Sequence, residues 1–397
     1  MKIGMVTPYD LEIPSGVNAS LISLSSWLIA QGQDVRIYGP ASGSWTSKTL
    51  KENIQSNVEI LITNFGRPHQ LRWGGTRASI NLSPLAGRRL AGIIAEEHFD
   101  ILHIHEPILA WPFIQFLKKS SNYLIGTFHS SEPAAKRSYR FTGLILKKWL
   151  RRFDELTAVS ETAARTAESI LPSNYKVIPN CIDTDYFSSR VKIPTLMKNG
   201  HQSILFVGRD EPRKGLNDLI SAFELSRKKN NNLQLVIVGP DEKECRKLDA
   251  DARIAGTQSI VVVGKTDKQS LAGYYRAADI FCSPATSGES FGLVLVEAMA
   301  AGTPVIATNI PGYRNVIQHE LNGLLTPPGD PIALEASISR LIENDSLRSS
   351  LSDAGLTKAK MFSKESVGQQ FLNMYDQHVT IYTHRHRGMS VPHQRKD

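Results

Sequence analysis

Short apolar runs alternate with helical patterns along the chain. The first half contains KIGMV, a helical stretch over about Ala19 to Gln31, then DVRIYGP, ILHIHEP, YLIGTFH and ELTAVS. The second half starts again in the same style with SILFVGR, LQLVIVGP, IVVVGK, IFCSP and PVIAT, each followed by a helical or loop segment. Strands that alternate with helices predict parallel sheets covered by helices on both faces. Two such series predict an α/β chain of two doubly wound, Rossmann-like domains. Between them SSRVKIPTLMKNGHQ, about Ser188 to Gln202, is polar and carries neither period, as a linker does. The expected division is residues 1–190 and 203–362. A ligand is expected in the cleft between the two, beyond the carboxyl ends of the strands. The last twenty residues hold four of the eleven histidines and little apolar pattern, and a solvated tail over 381–397 is expected in preference to a metal site.

One stretch departs from this regular pattern. SGESFGLVLVEAMAAGTPVIAT, Ser287 to Thr308, predicts a helix from Phe291 to Gly302 made of apolar and small residues, the composition of a segment buried on most sides. It nevertheless carries Glu297, and Glu289 stands just before it, where unpaired backbone N–H groups point outward. An unpaired buried carboxylate costs several kcal/mol or more, so both acids need partners that the local sequence does not supply. Two readings stand at this point. Either Glu289 complements the helix dipole and Glu297 makes a core salt bridge, or both meet hydroxyl groups of a bound ligand.

Composition narrows the setting. With 397 residues, 41% hydrophobic and 21% charged, the chain is long for one core and ordinary for a globular protein. Cys181, Cys245 and Cys282 lie far apart, which argues against a disulfide framework or a zinc site and fits a reducing compartment. The opening MKIGMV reads as a strand and not as a signal peptide, and no 18 uncharged apolar residues occur in a row. A cytosolic protein, or one resting on a membrane without crossing it, is expected. The net charge of +8 is modest, so its clustering matters more than its size.

Positions at strand ends carry the chemistry. RDEPRKG after SILFVG places Arg209 and Lys214 in a loop, with Gly215 where a helix begins. Two cations there suit a pyrophosphate, and a charged surface loop is the alternative. Gly16, in PYDLEIPSGVNAS, allows close backbone approach at a helix N-terminus that can face an anion. His103, His105 and Glu106 share a strand but lack a third ligand at a metal-binding spacing, so structural packing is the expected role. His129 ends a strand, and exposure there would give it a place in the cleft. KRSYRFTGLILKKWLRR, Lys136 to Arg152, has seven basic and no acidic residues interleaved with aromatic and aliphatic ones. It reads either as a helix lying on an anionic membrane or as a solvated helix packed on its domain. SPLAGRRLAGIIAEEHF sets Arg88 and Arg89 beside an apolar stripe, diluted by Glu96 and Glu97. No nucleic-acid motif accompanies these patches.

Together the motifs resemble those of the retaining glycosyltransferases of family 4. The likeness runs from MKIGMVTPYD to FSKESVGQQFLNMYDQHV, and its most specific part is the pair Glu289 and Glu297, separated by seven residues as in the family's E-x7-E motif. VGRDEPRKG, AVSETAARTAESI, VIPNCIDTDYF, AADIFCSP and EAMAAGTPVIAT support it. PYDLEIPSGVNAS, FDILHIHEP, TFHSS and GESFGLVLVEAMAAGTPV give it particular strength toward bacterial phosphatidylinositol mannosyltransferases.

The resemblance implies a GT-B fold whose C-terminal helix, about 363–380, crosses back to the first domain. It implies that Glu289 faces the donor sugar and Glu297 the ribose, with Arg209 and Lys214 on the diphosphate assisted by the backbone at Gly16. Backbone N–H groups around Ser290, Phe291 and Gly292 would meet the sugar or its phosphate, and His129 would lie near the reacting centre. Transfer would retain anomeric configuration without a metal or other cofactor. The donor would be GDP-mannose and the acceptor phosphatidylinositol or a related glycolipid at the cytoplasmic face of an anionic membrane.

Three departures bear on these expectations. Ser15 stands where a second glycine is usual, Cys181 replaces the glycine of PNGVD, and NFGRPHQLRWGGTRASINLSPLAGRRL on the acceptor side is longer and less basic. A transferase using a UDP-sugar and a soluble acceptor, a non-catalytic nucleotide-sugar-binding subunit, and a sugar-nucleotide epimerase are the alternatives. No residue speaks to the oligomeric state.

Overall fold

The computed structural model describes residues 1–51, 58–73, 76–109, 123–131, 147–189, 191–197, 200–254 and 259–387. The first half builds one sheet from β1 (Lys2–Val6), β2 (Asp34–Gly39), β3 (Ser47–Lys51), β4 (Glu59–Asn64), β7 (Ile101–His105), β8 (Tyr123–Phe128), β9 (Glu155–Ala158) and β10 (Lys176–Val177). Its order is β10-β9-β8-β7-β1-β2-β4-β3, parallel except for the β3 edge strand. The second half builds a parallel sheet from β11 (Gln202–Val207), β12 (Leu233–Val238), β13 (Ile260–Gly264), β14 (Ile280–Ser283), β15 (Val305–Thr308) and β16 (Leu324–Thr326). Its order, β13-β12-β11-β14-β15-β16, is the doubly wound one, and strand order reverses between β11 and β14. The corresponding reversal in the first sheet falls between β1 and β7. Loops leaving adjacent strands diverge there, which opens a crevice.

All ten apolar runs named above form strands. β7 and β12 are buried along their whole length, as strands covered on both faces must be. The helices among the described residues are α1 (Gly16–Ala30), α2 (Pro84–Glu97), α3 (Glu161–Glu168), α4 (Thr184–Ser188), α5 (Leu216–Lys229), α6 (Glu242–Ile254), α7 (Lys268–Ala277), α8 (Leu293–Ala300), α9 (Pro331–Glu343), α10 (Asp345–Lys360) and α11 (Lys364–Arg387). α8 begins two residues later than its apolar pattern suggests, because Gly292 takes a left-handed conformation (φ 93°) as its N-cap. β5 (His69–Trp73) and β6 (Thr76–Ile80) form an antiparallel hairpin within NFGRPHQLRWGGTRASINLSPLAGRRL. Its second strand lies beside the loop after β1: Tyr9 bridges Ile80, and the Asp10 N–H donates to the Ser79 carbonyl at 2.9 Å.

α11 returns to the first half. Val367, Phe371, Met374 and Tyr375 share a core with Ile3, Leu21, Leu24 and Trp27, and a Cβ at Gly368 would sit 2.3 Å from the Trp27 ring. The helix continues through Arg387, beyond the start of the expected tail. His378 accounts for part of this, since its ring stacks on Tyr123 at 4.0 Å and its Nε2 lies 3.1 Å from Glu155 Oε2. The tail expectation over 388–397, like the basic stretch over 132–146, falls outside the described residues. Ser15 caps α1 by accepting a bond from the Asn18 N–H at 3.2 Å, so its hydroxyl makes up for the missing glycine. Cys181 does not have positive φ, so its turn never required glycine; its side chain packs against Ser20. No helix among the described residues is long and apolar enough to cross a membrane.

Candidate active site

The loops after β11 and β14 face each other at the second sheet's reversal point. The first carries Arg209, Glu211, Arg213 and Lys214 and ends at Gly215, which is left-handed (φ 69°). A Cβ at Gly215 would lie 2.0 Å from the Pro284 carbonyl oxygen, so only glycine lets the two loops meet this closely. The second carries Gly288 and Glu289, with the loop after β15 pressed against its back. There a Cβ on Gly312 would fall 1.9 Å from the Glu289 carbonyl oxygen.

These contacts bring the charges together. Lys214 Nζ and Arg213 Nη1 each lie 2.7 Å from Glu289 Oε1. Arg213 also grips Glu211 Oε2 through Nε at 3.0 Å and Nη2 at 2.9 Å, and donates from Nη1 to the Gly288 carbonyl at 3.2 Å. Arg209 Nη2 sits 2.8 Å from Glu211 Oε1, with the Arg209 side chain 42% exposed. Burial pushes the Glu289 pKa up, but Lys214 and Arg213 push it down further, and the carboxyl sits below its usual range. Glu289 is therefore held as a carboxylate by two cations from a distant loop, without recourse to the helix dipole or to a ligand. Arg213 escapes the sequence reading: EPRKG supplies adjacent cations but not the directions in which they point.

Glu297 has a different environment. Its Oε2 accepts a 2.8 Å bond from the hydroxyl of the fully buried Tyr275, and no salt bridge to it is found among the described residues. Burial lifts its pKa above the ordinary carboxylate value, against the Tyr275 bond and the nearby charge of Lys268. In place of the core salt bridge of the first reading stands a tyrosine hydroxyl, which leaves the acid further hydrogen-bonding capacity. Phe291 is a core residue, edge-on to Phe362 with ring centres 5.2 Å apart. The Ser290 carbonyl accepts from the Ser160 hydroxyl of the first half at 2.6 Å. Gly16 reaches the same place from the other side, since a Cβ on it would be 3.0 Å from Leu293 Cδ1. The N-termini of α1 and α8 therefore meet across the two halves.

His129 is placed otherwise than its loop position suggests. It is only 6% exposed, and its Nε2 pairs with His105 Nδ1 at 2.9 Å. The reason lies in the adjoining strand and the returning helix. His105 stacks on His103 with ring centres 4.3 Å apart, and His103 is bound by the Tyr375 hydroxyl of α11 at 2.7 Å and by Thr127 Oγ1 at 2.6 Å. Burial pushes His129 and His103 down to about 3 and His105 well below its usual value, so all three are neutral. Glu106, left-handed at φ 52° and fully buried, accepts from the His129 N–H at 3.1 Å and the Ser130 hydroxyl at 2.7 Å. Among the described residues no group of three such side chains is arranged to hold a metal.

The sequence comparisons agree with this architecture. The profile of Glycosyltransferase Family 4 matches residues 14–186, and that of Glycosyl transferases group 1 matches residues 191–358. A phosphatidyl-myo-inositol mannosyltransferase of Mycobacterium leprae (strain TN) is 33% identical over 377 residues, 95% of this chain and 96% of the relative. Its namesake from Mycobacterium tuberculosis (strain ATCC 25618 / H37Rv) is 31% identical over 381 residues, 95% and 97% of the two chains. Sucrose-phosphate synthase from Thermosynechococcus elongatus superimposes with a TM-score of 0.75 at 20% identity, covering 96% of this chain and 99% of that one. Anabaena HepE, solved with UDP-glucose, also gives 0.75, at 18% identity and 95% and 100% coverage. At such identities these two structures speak to the fold alone. With the fold, the paired glutamates and relatives of this identity and length in agreement, the chain belongs to the family 4 glycosyltransferases and has their GT-B fold.

Proposed function

We propose that the protein transfers mannose from GDP-mannose to phosphatidylinositol or a related glycolipid with retention of configuration. The observation that carries this reading is the knot of Glu289, Lys214 and Arg213 at the strand-order reversal. It belongs to a chain whose curated relatives are named phosphatidyl-myo-inositol mannosyltransferases. In this reading Glu289 accepts hydroxyl hydrogen bonds from the donor sugar and Glu297 from the ribose. Arg209 and Lys214 hold the diphosphate, with the α1 N-terminus at Gly16 close by. As the glycosyl–oxygen bond breaks, negative charge grows on the diphosphate, where these cations and two helix N-termini stabilise it. The departing phosphate takes the proton of the acceptor hydroxyl, which attacks from the face being vacated. The chain's own cations neutralise the leaving group, so the reading calls for no metal. Neutral His129 contributes hydrogen bonding near the reacting centre, not positive charge.

The acceptor enters beside the loop after β1, which the β5–β6 hairpin flanks. The basic stretch supplies the membrane contact. Lys148 and Arg152 lie over the Trp149 ring at 5.5 and 5.7 Å, while Leu150 anchors in the core. Labelled mannose should pass from GDP-mannose to phosphatidylinositol in vesicles, and of a panel of GDP-, UDP- and ADP-sugars GDP-mannose should raise the melting temperature most. Stabilisation by UDP-sugars alone, with transfer to a soluble acceptor, would overturn the reading.

A further inference from the structure

We infer that Arg213 is the positioning residue of this site, fixing the Glu289 carboxylate and the loop that bears it against the loop after β11. The inference rests on the reading of Glu289 as the group that meets the donor sugar. Among the described residues the Arg213 side chain bonds only to these two loops: Glu211 on its own side, the Gly288 carbonyl and Glu289 on the other. The Arg213 carbonyl completes the latch by accepting from the Thr286 N–H at 2.8 Å. Gly288 (φ 73°) lets the guanidinium stem pass, since a Cβ there would lie 3.3 Å from Arg213 Cδ.

Three cations of this loop therefore divide the work. Glu211 and Glu289 together engage the Arg213 fork, whose side chain is 16% exposed, and little of it is left for a ligand. Lys214 is ion-paired to Glu289 and the Arg209 side chain reaches solvent, so these two can turn to an incoming diphosphate. When Lys214 does so, Arg213 keeps Glu289 charged and in place. A lysine at 213 would supply the charge without the planar fork that holds three oxygens at once. The groups facing Glu289 are Arg213 and Lys214 from the β11 loop and the uncharged Tyr313 from the loop after β15. Losing Arg213 removes one of the two cations that pair with Glu289 among the described residues and leaves Lys214 alone.

The test compares Arg213→Ala, Arg213→Lys and Lys214→Ala in the full-length enzyme, measuring kcat, KM, the pH profile of kcat/KM and GDP affinity by calorimetry. Arg213→Ala should lower kcat about 100-fold, leave GDP affinity within a few-fold and move the acid limb of the profile to higher pH. Arg213→Lys should restore the acid limb but only part of kcat. Lys214→Ala should instead weaken GDP binding. A wild-type kcat and acid limb in Arg213→Ala, or a loss matched by the unfolded fraction and by an unchanged acid limb in Arg213→Lys and Arg213→Ala alike, overturns the inference. Glu289→Gln separates the two ideas. If it is inactive while Arg213→Ala is fully active, only the inference falls; if it is fully active, the reading of the site falls as well.

Discussion

The two reversal points solve the problem of buried polar groups in opposite ways. In the second half, five charged side chains from two loops neutralise one another, and Glu289 is pinned by Lys214 and Arg213. In the first half, three histidines are stacked or hydrogen-bonded in neutral form, and Glu106 is held by an N–H and a hydroxyl in place of a cation. The first arrangement is organised around an anion; in the proposed reading Lys214 turns from Glu289 to the diphosphate while Arg213 keeps the carboxylate charged. The second offers directional hydrogen bonds without net charge, as suits hydroxyl-bearing groups.

Removing a charge should therefore hurt catalysis on one side, and adding one should hurt folding on the other. The largest effect expected is that of Glu289→Gln, a fall of about 100- to 1,000-fold in kcat in a protein that still folds but melts at a lower temperature, because Lys214 and Arg213 lose their counter-charge; steady-state assay and calorimetry read both. Next comes acid sensitivity. Unfolded histidine takes up a proton near pH 6.5, whereas native His103 and His129 resist until about 3 and His105 stays well below its usual value. Stability should accordingly fall as pH drops below 6.5, by up to about 1.4 kcal/mol per pH unit for each histidine. The raised carboxyl of Glu106 works in the other direction only nearer its own pKa, and the lowered Glu289 adds its loss only below the ordinary carboxylate range. Urea unfolding at pH 7 and pH 5.5 checks this, and a flat profile would place the histidines in contact with water. The smallest effect is that of Gly312→Ala, whose methyl group must displace the Glu289 carbonyl. A cost of about 1–3 kcal/mol in unfolding free energy, together with a raised donor KM, is expected.

The contrast was only partly legible in the sequence. Strand runs and the two glutamates stand out because period and composition are local properties. Lys214 could be placed near a diphosphate, yet its pairing with Glu289 joins positions 75 residues apart and follows from strand order, not from spacing. Arg213 was hidden among neighbouring charges, and only the fixed plane of its side chain distinguishes it. His129 looked exposed because it ends a strand; what buries it includes a layer anchored by Tyr375, far along the chain. The β5–β6 hairpin escaped because its strands are polar and its stabilising contacts lie with the loop after β1.

The return of α11 has a mechanical consequence. The chain passes between the halves twice, and the returning passage is fastened to the first half a few residues ahead of the outgoing one: the Ile182 N–H donates to the Phe362 carbonyl at 3.0 Å, and the Lys364 N–H to the Ile182 carbonyl at 2.9 Å. Two tethers fastened at one rung behave as a single pin. Swinging about it would leave both tethers their length, whereas sliding one half along the other would tear the rung apart, so opening and shutting is the motion to expect.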